Sequence, residues 1–426
     1  MRLLLVAWLW VVGCSRTVSL GSDRLDDAAP LDAPAVDGTT PQDAGPVPVF
    51  DVGTPRDVMD VPDVPDIGDA ADVVQMETPP IPQGTVTSIV AGAGHTCATR
   101  SDGSCWCWGD NRRGQLGDGT TASRTEPVLV AGLPPVLALA LGAEHTCALA
   151  GTPARLWCWG RGDDGRLFVP SMGDALRPTD TGLAATRLAA GGATTCVLQS
   201  GRVRCAGRND EGQRGADPGV DLAITGTVTS LVMGEAFGCA LAEGGSVWCW
   251  GRNVEGEAGR GDTSPAAPVG RVMGPLVSAS VRAITAGGRH VCARGTTQTW
   301  CWGDRTHGQL GDGMTGGSVS TPALSPWGDR TLVAGRDFTC GIFSQSVQCA
   351  GANDRGQLGT PGPGRASPSL AVANFARVGT VFLTAGAAHA CAYLSDAQVW
   401  CWGDGSLGQR GDGTRDVIDM PRMVSW

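Results

Sequence analysis

The sequence is short of several residue types: of its 426 residues, none is lysine, one is tyrosine and seven are phenylalanine. All 32 basic residues are therefore arginine. Because these arginines are scattered rather than arranged in stripes, we attribute the absence of lysine to composition and not to function. The N-terminal apolar run at 3–12 is shorter than the roughly 20 residues that a membrane-spanning helix needs, which excludes a mature membrane helix there.

Residues 1–14 combine one positive charge at Arg2, the apolar run and a terminal Gly13-Cys14, which is typical of a signal peptide. The stretch Val11–Cys14 resembles the bacterial lipobox, in which the cysteine is acylated and becomes the new N-terminus. We therefore expect lipidation at Cys14 and a location outside the cytoplasm. The alternative is an ordinary signal peptide that happens to be followed by a cysteine.

Residues 15–83 are rich in Asp, Pro, Ala and Val, as in DVPDVPDIGDAAD at 60–72. Residues 1–83 contain 14 acidic and four basic residues and so hold the whole formal net charge of −10. A proline-rich chain with repelling charges stays extended, so we predict a disordered tether at 15–83. Calcium binding is the alternative, although no spacing matches a 12-residue calcium loop.

The remaining chain, 84–426, is neutral, with 28 acidic and 28 basic residues. Nucleic-acid binding depends on clustered positive charge. The balance therefore argues against a nucleic-acid partner.

One motif occurs seven times in 84–426, as in AGAGHTCAT at 91–99 and AGGRHVCAR at 286–294. Each copy is followed by Trp-Cys-Trp-Gly, as at 106–109, or by a degraded version at 204–207 and 348–351. The motif cysteines recur every 43 to 53 residues. A period near 49 residues with short apolar runs is typical of repeat architectures built from small sheets.

The cysteines of each unit predict a disulfide across one hairpin. In a strand, Trp106 and Trp108 share one face and Cys107 points to the other, toward a neighbouring strand. Zinc is the alternative, but structural zinc sites favour cysteines two to four residues apart, and one such hairpin offers two ligands rather than four. Because the signal peptide predicts export, and disulfides persist outside the cytoplasm, we favour disulfides over zinc. The predicted pairs are Cys97–Cys107, Cys147–Cys158, Cys196–Cys205, Cys239–Cys249, Cys292–Cys301, Cys340–Cys349 and Cys391–Cys401, which leaves Cys105 as a free thiol.

The tryptophan face of each hairpin predicts how the units assemble. A four-stranded sheet cannot bury both faces alone, so the sheets must stack, and radial stacking forms a propeller. We predict an all-β, seven-bladed β-propeller of four-stranded antiparallel blades. The third and sixth blades have Ala206 and Ala350 in place of the second tryptophan, so we expect different packing there.

The units resemble the regulator of chromosome condensation repeat, in which a Gly-Gln-Leu-Gly turn follows Trp-Gly. The turn is present at 114–117, 308–311 and 356–359, with looser copies at 212–215, 256–259 and 408–411. The resemblance covers 84–426 and implies a seven-bladed propeller with a broad, rigid face for binding proteins. The paired cysteines depart from the eukaryotic pattern and suit an exported version.

Family members serve as an exchange factor on chromatin, a light sensor, ligase domains and, in a secreted bacterial form, a β-lactamase inhibitor. We expect a monomeric, non-enzymatic scaffold that binds a protein or a cell-envelope polymer and touches the membrane only through its lipid. The alternatives are a secreted enzyme inhibitor resembling the propeller β-lactamase inhibitor and, less favoured, a propeller hydrolase.

Catalysis needs an asymmetric set of groups, and the repeats do not supply one. Four of the five histidines occupy one repeat position, which indicates a structural hydrogen bond: His95, His145, His290 and His389. Only His307 is off the pattern, and its convergence with carboxylates would favour an enzyme. We expect no catalytic residue, cofactor or metal.

A binding site is expected where a unit breaks its own pattern. The candidates are Phe168 and Met172 in GRLFVPSMGD, Trp327 outside the repeated motif, and the loop arginines Arg112 and Arg113. Aromatic and arginine side chains on loops are common anchors of protein interfaces.

The chain ends predict how the ring closes. The first unit begins at VTSIVAG, 86–92, and lacks the apolar run that comes before this one in other units. The last unit ends at MPRMVSW, 420–426, and lacks the later run, so each end supplies the run that the other is missing. We predict that 422–425 join the blade of 86–90, or an adjoining strand, because an open ring would leave unpaired edges.

Overall fold

The structure is a computed structural model, and it describes residues 84–426 except 170–172, 218, 345, 363, 365 and 374–378. The predictions for the signal peptide, Cys14, the tether and Met172 lie outside the described residues. The described chain forms seven antiparallel sheets, each built from consecutive strands.

The strands of blades 1 to 4 follow in chain order. Blade 1 contains β1 (Val86–Ala91), β2 (His95–Arg100), β3 (Cys105–Gly109) and β4 (Arg124–Leu129); blade 2 contains β5 (Val136–Leu141), β6 (His145–Ala150), β7 (Arg155–Gly160) and β8 (Ala175–Ala184). Blade 3 contains β9 (Arg187–Gly191), β10 (Thr194–Gln199) and β11 (Arg202–Gly207); blade 4 contains β12 (Val228–Met233), β13 (Phe237–Ala242), β14 (Ser246–Arg252) and β15 (Ala266–Arg271).

The other three blades repeat this order. Blade 5 contains β16 (Ala283–Ala286), β17 (His290–Arg294), β18 (Thr299–Asp304) and β19 (Ser318–Ser325). Blade 6 contains β20 (Thr331–Ala334), β21 (Phe338–Phe343), β22 (Ser346–Gly351) and β23 (Ser367–Val372). Blade 7 contains β24 (Thr380–Ala385), β25 (His389–Leu394), β26 (Val399–Asp404) and β27 (Val417–Met423). Two single-turn 3-10 helices, Glu243–Gly245 and Gly274–Val277, lie between strands of blade 4 and after it.

The first strands of the blades contact one another in a closed circle, from β1 through β5, β9, β12, β16, β20 and β24 back to β1. The predicted seven-bladed propeller of antiparallel sheets is therefore confirmed. No helix among the described residues is long and apolar enough to cross a bilayer.

Blade 3 is the exception to four-stranded blades, because its sheet has three strands. In place of a fourth strand, Leu222 donates its backbone N–H to the Val203 carbonyl at 2.9 Å. The Asp221 carboxylate accepts hydrogen bonds from Arg202 and Arg204, at 2.9 and 2.5 Å. Side-chain contacts thus replace part of the backbone ladder.

The outermost strand of every four-stranded blade contains a proline. Proline has no N–H to donate, so it blunts a strand edge that could otherwise pair with another chain. These prolines are Pro127, Pro178, Pro268, Pro322, Pro368 and Pro421.

The structure contains the seven disulfides that the sequence predicts, each joining directly opposed residues of the second and third strands. Their Cα atoms are 4.0 to 4.2 Å apart. Cys105 is a free, buried thiol whose Sγ lies 3.9 Å from that of Cys107. Burial raises the pKa of the Cys105 thiol to about 12.

The second tryptophan of each Trp-Cys-Trp motif fills the interface with the preceding blade. Trp108, Trp159, Trp250, Trp302 and Trp402 are fully buried. Each indole N–H donates at 2.8 to 3.0 Å to the carbonyl of the Gln, or of Glu257, in the preceding blade's Gly-Gln-Leu-Gly turn. The first tryptophan is less buried, with Trp157, Trp248, Trp300 and Trp400 only partly covered.

Trp327 is a core residue, so its prediction as a partner-binding residue is wrong. It extends from the end of blade 5, is fully buried, and donates its indole N–H to the Leu310 carbonyl at 3.1 Å. It packs against Ala350, which stands where five other blades carry the second tryptophan. Trp327 therefore fills the space that Ala350 leaves in blade 6.

Phe168 has a similar role between blades 2 and 3, where Ala206 replaces the second tryptophan. It stands at the fourth position of the turn, where the other blades have glycine, and has a φ of 60°. In other blades a Cβ at this glycine would meet the next tryptophan, at 2.8 Å for Gly117 and Trp159. Without that tryptophan the position admits a side chain, and Phe168 packs half-buried on the core.

The predicted closure of the ring by the N- and C-terminal strands is confirmed, but the two strands pack against each other from neighbouring blades, so the option of a shared blade is wrong. Strand β27 belongs to blade 7 and β1 to blade 1 because every blade is built from consecutive strands. The two segments meet in one cluster that contains Val86, Ile89 and Val424. Trp426 then packs edge-on against Trp108, with ring centroids 5.7 Å apart.

The disulfide pattern predicts one thiol per chain in a variant that carries Cys14→Ser. We expect a thiol reagent to find none in the folded protein, because Cys105 is buried, and about one after unfolding without reductant. Adding Cys105→Ala should lower the second value to zero. Several thiols in the unfolded chain would contradict the pairing.

The packing of Trp327 predicts that Trp327→Ala destabilises the propeller by about 3–5 kcal/mol, the usual cost of a large cavity. The double variant Trp327→Ala/Ala350→Trp restores a tryptophan at the position that five other blades use, so it should recover much of this loss. The measurement is denaturant unfolding of the three proteins. No recovery in the double variant would show that Trp327 does not substitute for the missing tryptophan.

Candidate functional site

The propeller has two faces of different construction. The turn face carries the loops that follow the third strands, such as 110–123 and 305–317, and the turns between first and second strands: 92–94, 142–144, 192–193, 234–236, 287–289, 335–337 and 386–388. The hairpin face carries the loops between second and third strands, such as 101–104 and 395–398, and the links between blades, such as 130–135 and 272–282.

The predicted binding residues do not form one site. Trp327 and Phe168 fill gaps between blades, and Met172 lies outside the described residues. Arg112 and Arg113 lie exposed on the turn face, with 68% and 43% of their side chains accessible. Arg112 pairs with Asp110 at 2.9 Å, and Arg113 reaches across the blade boundary to Asp174 at 3.3 Å.

The four repeated histidines join neighbouring blades. Each is fully buried, and its Nε2 lies 2.7 to 2.8 Å from a threonine hydroxyl of the next blade. The pairs are His95–Thr146, His145–Thr195, His290–Thr339 and His389–Thr96. The last pair closes the ring, so these histidines hold the fold together and are not available for chemistry.

The sequence does indicate these pairs, but only when the histidine position of one unit is compared with the next unit along the chain. A histidine occurs only in blades whose successor carries threonine one position after the repeated histidine position. Where the successor lacks it, the histidine is replaced: Phe237 packs with Val291, and Phe338 packs with Ala390. Comparing each unit with the next one would have revealed the contact.

The hydrogen bonds of three of the threonines, Thr96, Thr146 and Thr339, place a proton on the Nε2 of their histidines. The Thr146 hydroxyl donates to the Gln115 carbonyl at 2.8 Å, so it accepts from His95 and requires a proton on Nε2. Burial lowers the pKa of His95 to about 3 and those of His290 and His389 to about 4. The pKa of His145 also lies well below its usual value.

His307, the one off-pattern histidine, lies on the turn face near Asp337. Burial raises the pKa of the Asp337 carboxyl, although the charges of Arg336 and His307 oppose the shift. In the described part of the chain, no hydrogen bond joins His307 to a carboxylate, and its backbone N–H donates to Gln309 at 2.9 Å. The described residues also contain no group of three His, Cys, Asp or Glu side chains that could hold a metal ion.

A central channel of about 510 Å³ runs between the first strands. Apolar side chains such as Leu139, Leu188 and Met233 line it. At the turn face, Glu235 and Arg336 stand at its mouth, 3.9 Å apart and each about half exposed.

Ion pairs across blade boundaries are a feature of this turn face. Besides Arg113–Asp174, Arg252 of blade 4 pairs with Glu211 of blade 3 at 3.4 Å. Arg336 and Glu235 connect blades 6 and 4. The turn face is thus a rigid, charged surface around the channel mouth, and it contains the two predicted arginines.

Sequence models of the regulator of chromosome condensation (RCC1) repeat match this chain at 86–115, 102–149, 228–257 and 381–409. The ultraviolet-B receptor UVR8 of Arabidopsis thaliana is 26% identical over 365 residues, which cover 80% of this chain and 82% of UVR8. The E3 ubiquitin-protein ligase HERC2 of Homo sapiens is 25% identical over 350 residues, 79% of this chain but 6% of HERC2. The mouse HERC2 match covers the same small share of that protein.

Solved structures with the same fold include human WBSCR16 and Prp20p of Saccharomyces cerevisiae. WBSCR16 gives a TM-score of 0.68 at 17% identity, covering 76% of this chain and 94% of that one. Prp20p, studied for its binding to Gsp1p and histones, gives a TM-score of 0.66 at 22% identity, and the match covers 80% of this chain and 88% of Prp20p. An RCC1-like propeller is consistent with a protein-binding scaffold.

The buried histidines predict a loss of stability on acidification. The folded histidines stay neutral while the unfolded ones bind protons below their ordinary pKa of about 6.5. Stability is therefore fully present above pH 6.5 and falls toward pH 4, by at most about 1.4 kcal/mol per pH unit for each histidine. Thermal unfolding between pH 8 and 4.5 measures this slope.

The control for this prediction is His290→Phe/Thr339→Val, which copies the native Phe237–Val291 pair. This variant should retain its stability at pH 8 and lose less between pH 6.5 and 5, by the contribution of one histidine. An unchanged pH slope would show that His290 does not titrate in the unfolding equilibrium.

Proposed function

We propose that this chain, which belongs to the RCC1 repeat family, is a non-enzymatic scaffold that lies outside the cytoplasm, is anchored by lipid at Cys14 and binds a partner protein on its turn face. The observation that carries the proposal is the rigid, charged surface around the channel mouth. Long loops from all seven blades end there, and loops held by a rigid scaffold commonly carry binding residues.

The ion pairs make this surface suited to recognition. Arg113–Asp174, Arg252–Glu211 and Arg336–Glu235 each join different blades, and the closed ring fixes the backbone positions that carry these charges. Charges that are held in place before binding lose little side-chain entropy on contact and favour a partner with the complementary pattern. Each pair is partly exposed, so a partner can compete for either member.

The seven disulfides support a location outside the cytoplasm, because disulfides persist in oxidising compartments and are rare in the cytosol. The resemblance of Val11–Cys14 to a lipobox supports anchoring at the membrane. The acidic segment 15–83 would then act as the tether between lipid and propeller.

Related propellers support a protein partner over a surface polymer. Prp20p, which is yeast RCC1, was studied for binding to Gsp1p and histones and has also been solved with Kap60 bound. RCC1-family propellers are generally non-enzymatic binding or exchange-factor domains. An enzyme inhibitor would use the same surface, with an enzyme as its partner.

The proposal predicts that the acylated full chain captures a cell-envelope protein after mild crosslinking. Reversing two turn-face charges, Arg113→Glu/Arg336→Glu, should abolish this capture because the pairs with Asp174 and Glu235 become repulsive. A matched variant on the hairpin face, Arg187→Glu/Arg282→Glu, should capture the same protein as the parent. Cys14→Ser should release the chain from the membrane fraction.

Equal capture by the turn-face variant and the parent would contradict binding at this surface. Retention of the Cys14→Ser chain in the membrane fraction, with no acyl chain detected by mass spectrometry in the parent, would contradict lipid anchoring.

A further inference from the structure

The hairpin face combines exposed aromatic side chains with arginine. The three most exposed aromatic residues of the described chain are Phe343, Phe382 and Trp426, at 43%, 45% and 42% accessibility, and all lie on this face. Phe343 ends a second strand, Phe382 lies in the first strand of blade 7, and Trp426 follows the last strand. Other large apolar side chains are also exposed there: Leu137, Met273, Val277, Leu324, Val381 and Met423.

Arginines outnumber acidic residues on the same face, which also carries Asp102, Glu243, Asp329 and Asp396. Arg330 covers the ring of Phe343 at 4.2 Å, and Arg100 covers that of Trp426 at 4.6 Å. Four further exposed arginines have no acidic side chain within ion-pair distance in the described part of the chain: Arg187, Arg271, Arg282 and Arg422. Because 84–426 is neutral as a whole, this basic surplus leaves an acidic surplus on the rest of the propeller.

The N-terminal segment joins the propeller on the hairpin face. The Arg100 guanidinium donates to the Gly84 carbonyl, and the Thr85 backbone N–H donates to the Ser101 hydroxyl at 3.1 Å. Residues 1–83 therefore connect beside Arg100 and Trp426.

We infer that the hairpin face docks on a membrane surface that contains anionic phospholipid. Aromatic side chains favour the boundary between headgroups and acyl chains, and arginine is attracted to the negative surface potential. The exposed apolar and basic side chains come from blades 2 to 7 at one end of the strands, and none of them lines the channel. This spread fits an extended surface rather than a peptide in a groove.

The inference goes beyond the proposed function and does not require a partner protein. It gives the propeller an orientation, with the hairpin face on the membrane and the turn face toward the surroundings. The mature chain, residues 14–426, lacks Arg2 and has a formal net charge of −11. This makes the test selective, because a protein with such an overall charge is repelled from anionic vesicles unless a local basic surface binds.

The test uses the mature chain, residues 14–426, with Cys14→Ser so that no acyl chain contributes. Co-sedimentation with vesicles of 30% phosphatidylglycerol in phosphatidylcholine is compared with pure phosphatidylcholine, at low and high salt. We expect at least ten-fold stronger partitioning to the anionic vesicles at low salt, and loss of most of this difference at 0.5 M NaCl.

Two variants locate the contact. Arg187→Gln/Arg282→Gln/Arg422→Gln should weaken anionic partitioning at least ten-fold, since each arginine near an anionic surface contributes about five-fold. Phe343→Ser/Phe382→Ser should weaken it several-fold and lower the fraction that remains bound at high salt. Melting temperatures near that of the parent show that both variants are folded.

Matched controls lie on the turn face. Arg112→Gln/Arg208→Gln/Arg355→Gln removes the same charge, and Val254→Ser/Met314→Ser removes exposed apolar side chains. Both should partition like the parent. Three results would overturn the inference. They are equal binding to both vesicle types, an equal loss of binding in the turn-face controls, and a dimer in sedimentation velocity that the Phe343→Ser/Phe382→Ser variant abolishes. If a chain that binds vesicles captures no partner protein, the result contradicts the proposed function and leaves the membrane inference unchanged.

Discussion

The fold depends on the contact between each blade and the one before it. A single four-stranded blade leaves its tryptophan face exposed, and only the next blade covers it. The contact is directional: the indole N–H of Trp159 and the hydroxyl of Thr146 both donate to the Gln115 carbonyl of the preceding blade. At the last interface, the Trp108 indole N–H and the Thr96 hydroxyl donate to the Gln409 carbonyl in the same way, which closes the ring. Stability is therefore a property of the whole ring and not of separate blades.

This constraint explains why the irregular units are irregular in pairs. Ala350 is accompanied by Trp327 from the preceding blade, and Ala206 by Phe168 in place of a glycine. The histidines likewise occur only opposite threonine. A close-packed interface does not tolerate a cavity the size of an indole ring or an unsatisfied buried imidazole. A departure from the repeat is thus compensated across the interface, and it marks packing rather than a binding site.

Because the interfaces between blades are filled by packing, the surfaces open to a partner are the two faces of the ring. These faces differ in chemistry although they belong to the same seven units. Ion pairs between blades surround the channel mouth on the turn face, whereas the hairpin face exposes aromatic rings and, among the described residues, four arginines with no acidic side chain within ion-pair distance. Under the two proposals above, the hairpin face would contact the membrane and the turn face would stay accessible to a partner.

The sequence alone determined the parts of this protein that depend on local periodicity. Strand alternation places Cys107 opposite Cys97, so the disulfides and the hairpins follow from spacing, and seven copies of one unit define the propeller. Trp327 and Phe168 could not be assigned in the same way, because their burial depends on a neighbouring blade about 25 to 40 residues away in sequence. The exposed aromatic side chains of the hairpin face were also missed, since Phe343 and Phe382 lie in apolar runs that are indistinguishable from core strands. Only the tertiary structure decided which side chains face a neighbouring blade and which face solvent, because that distinction is made by contacts between units and not within them.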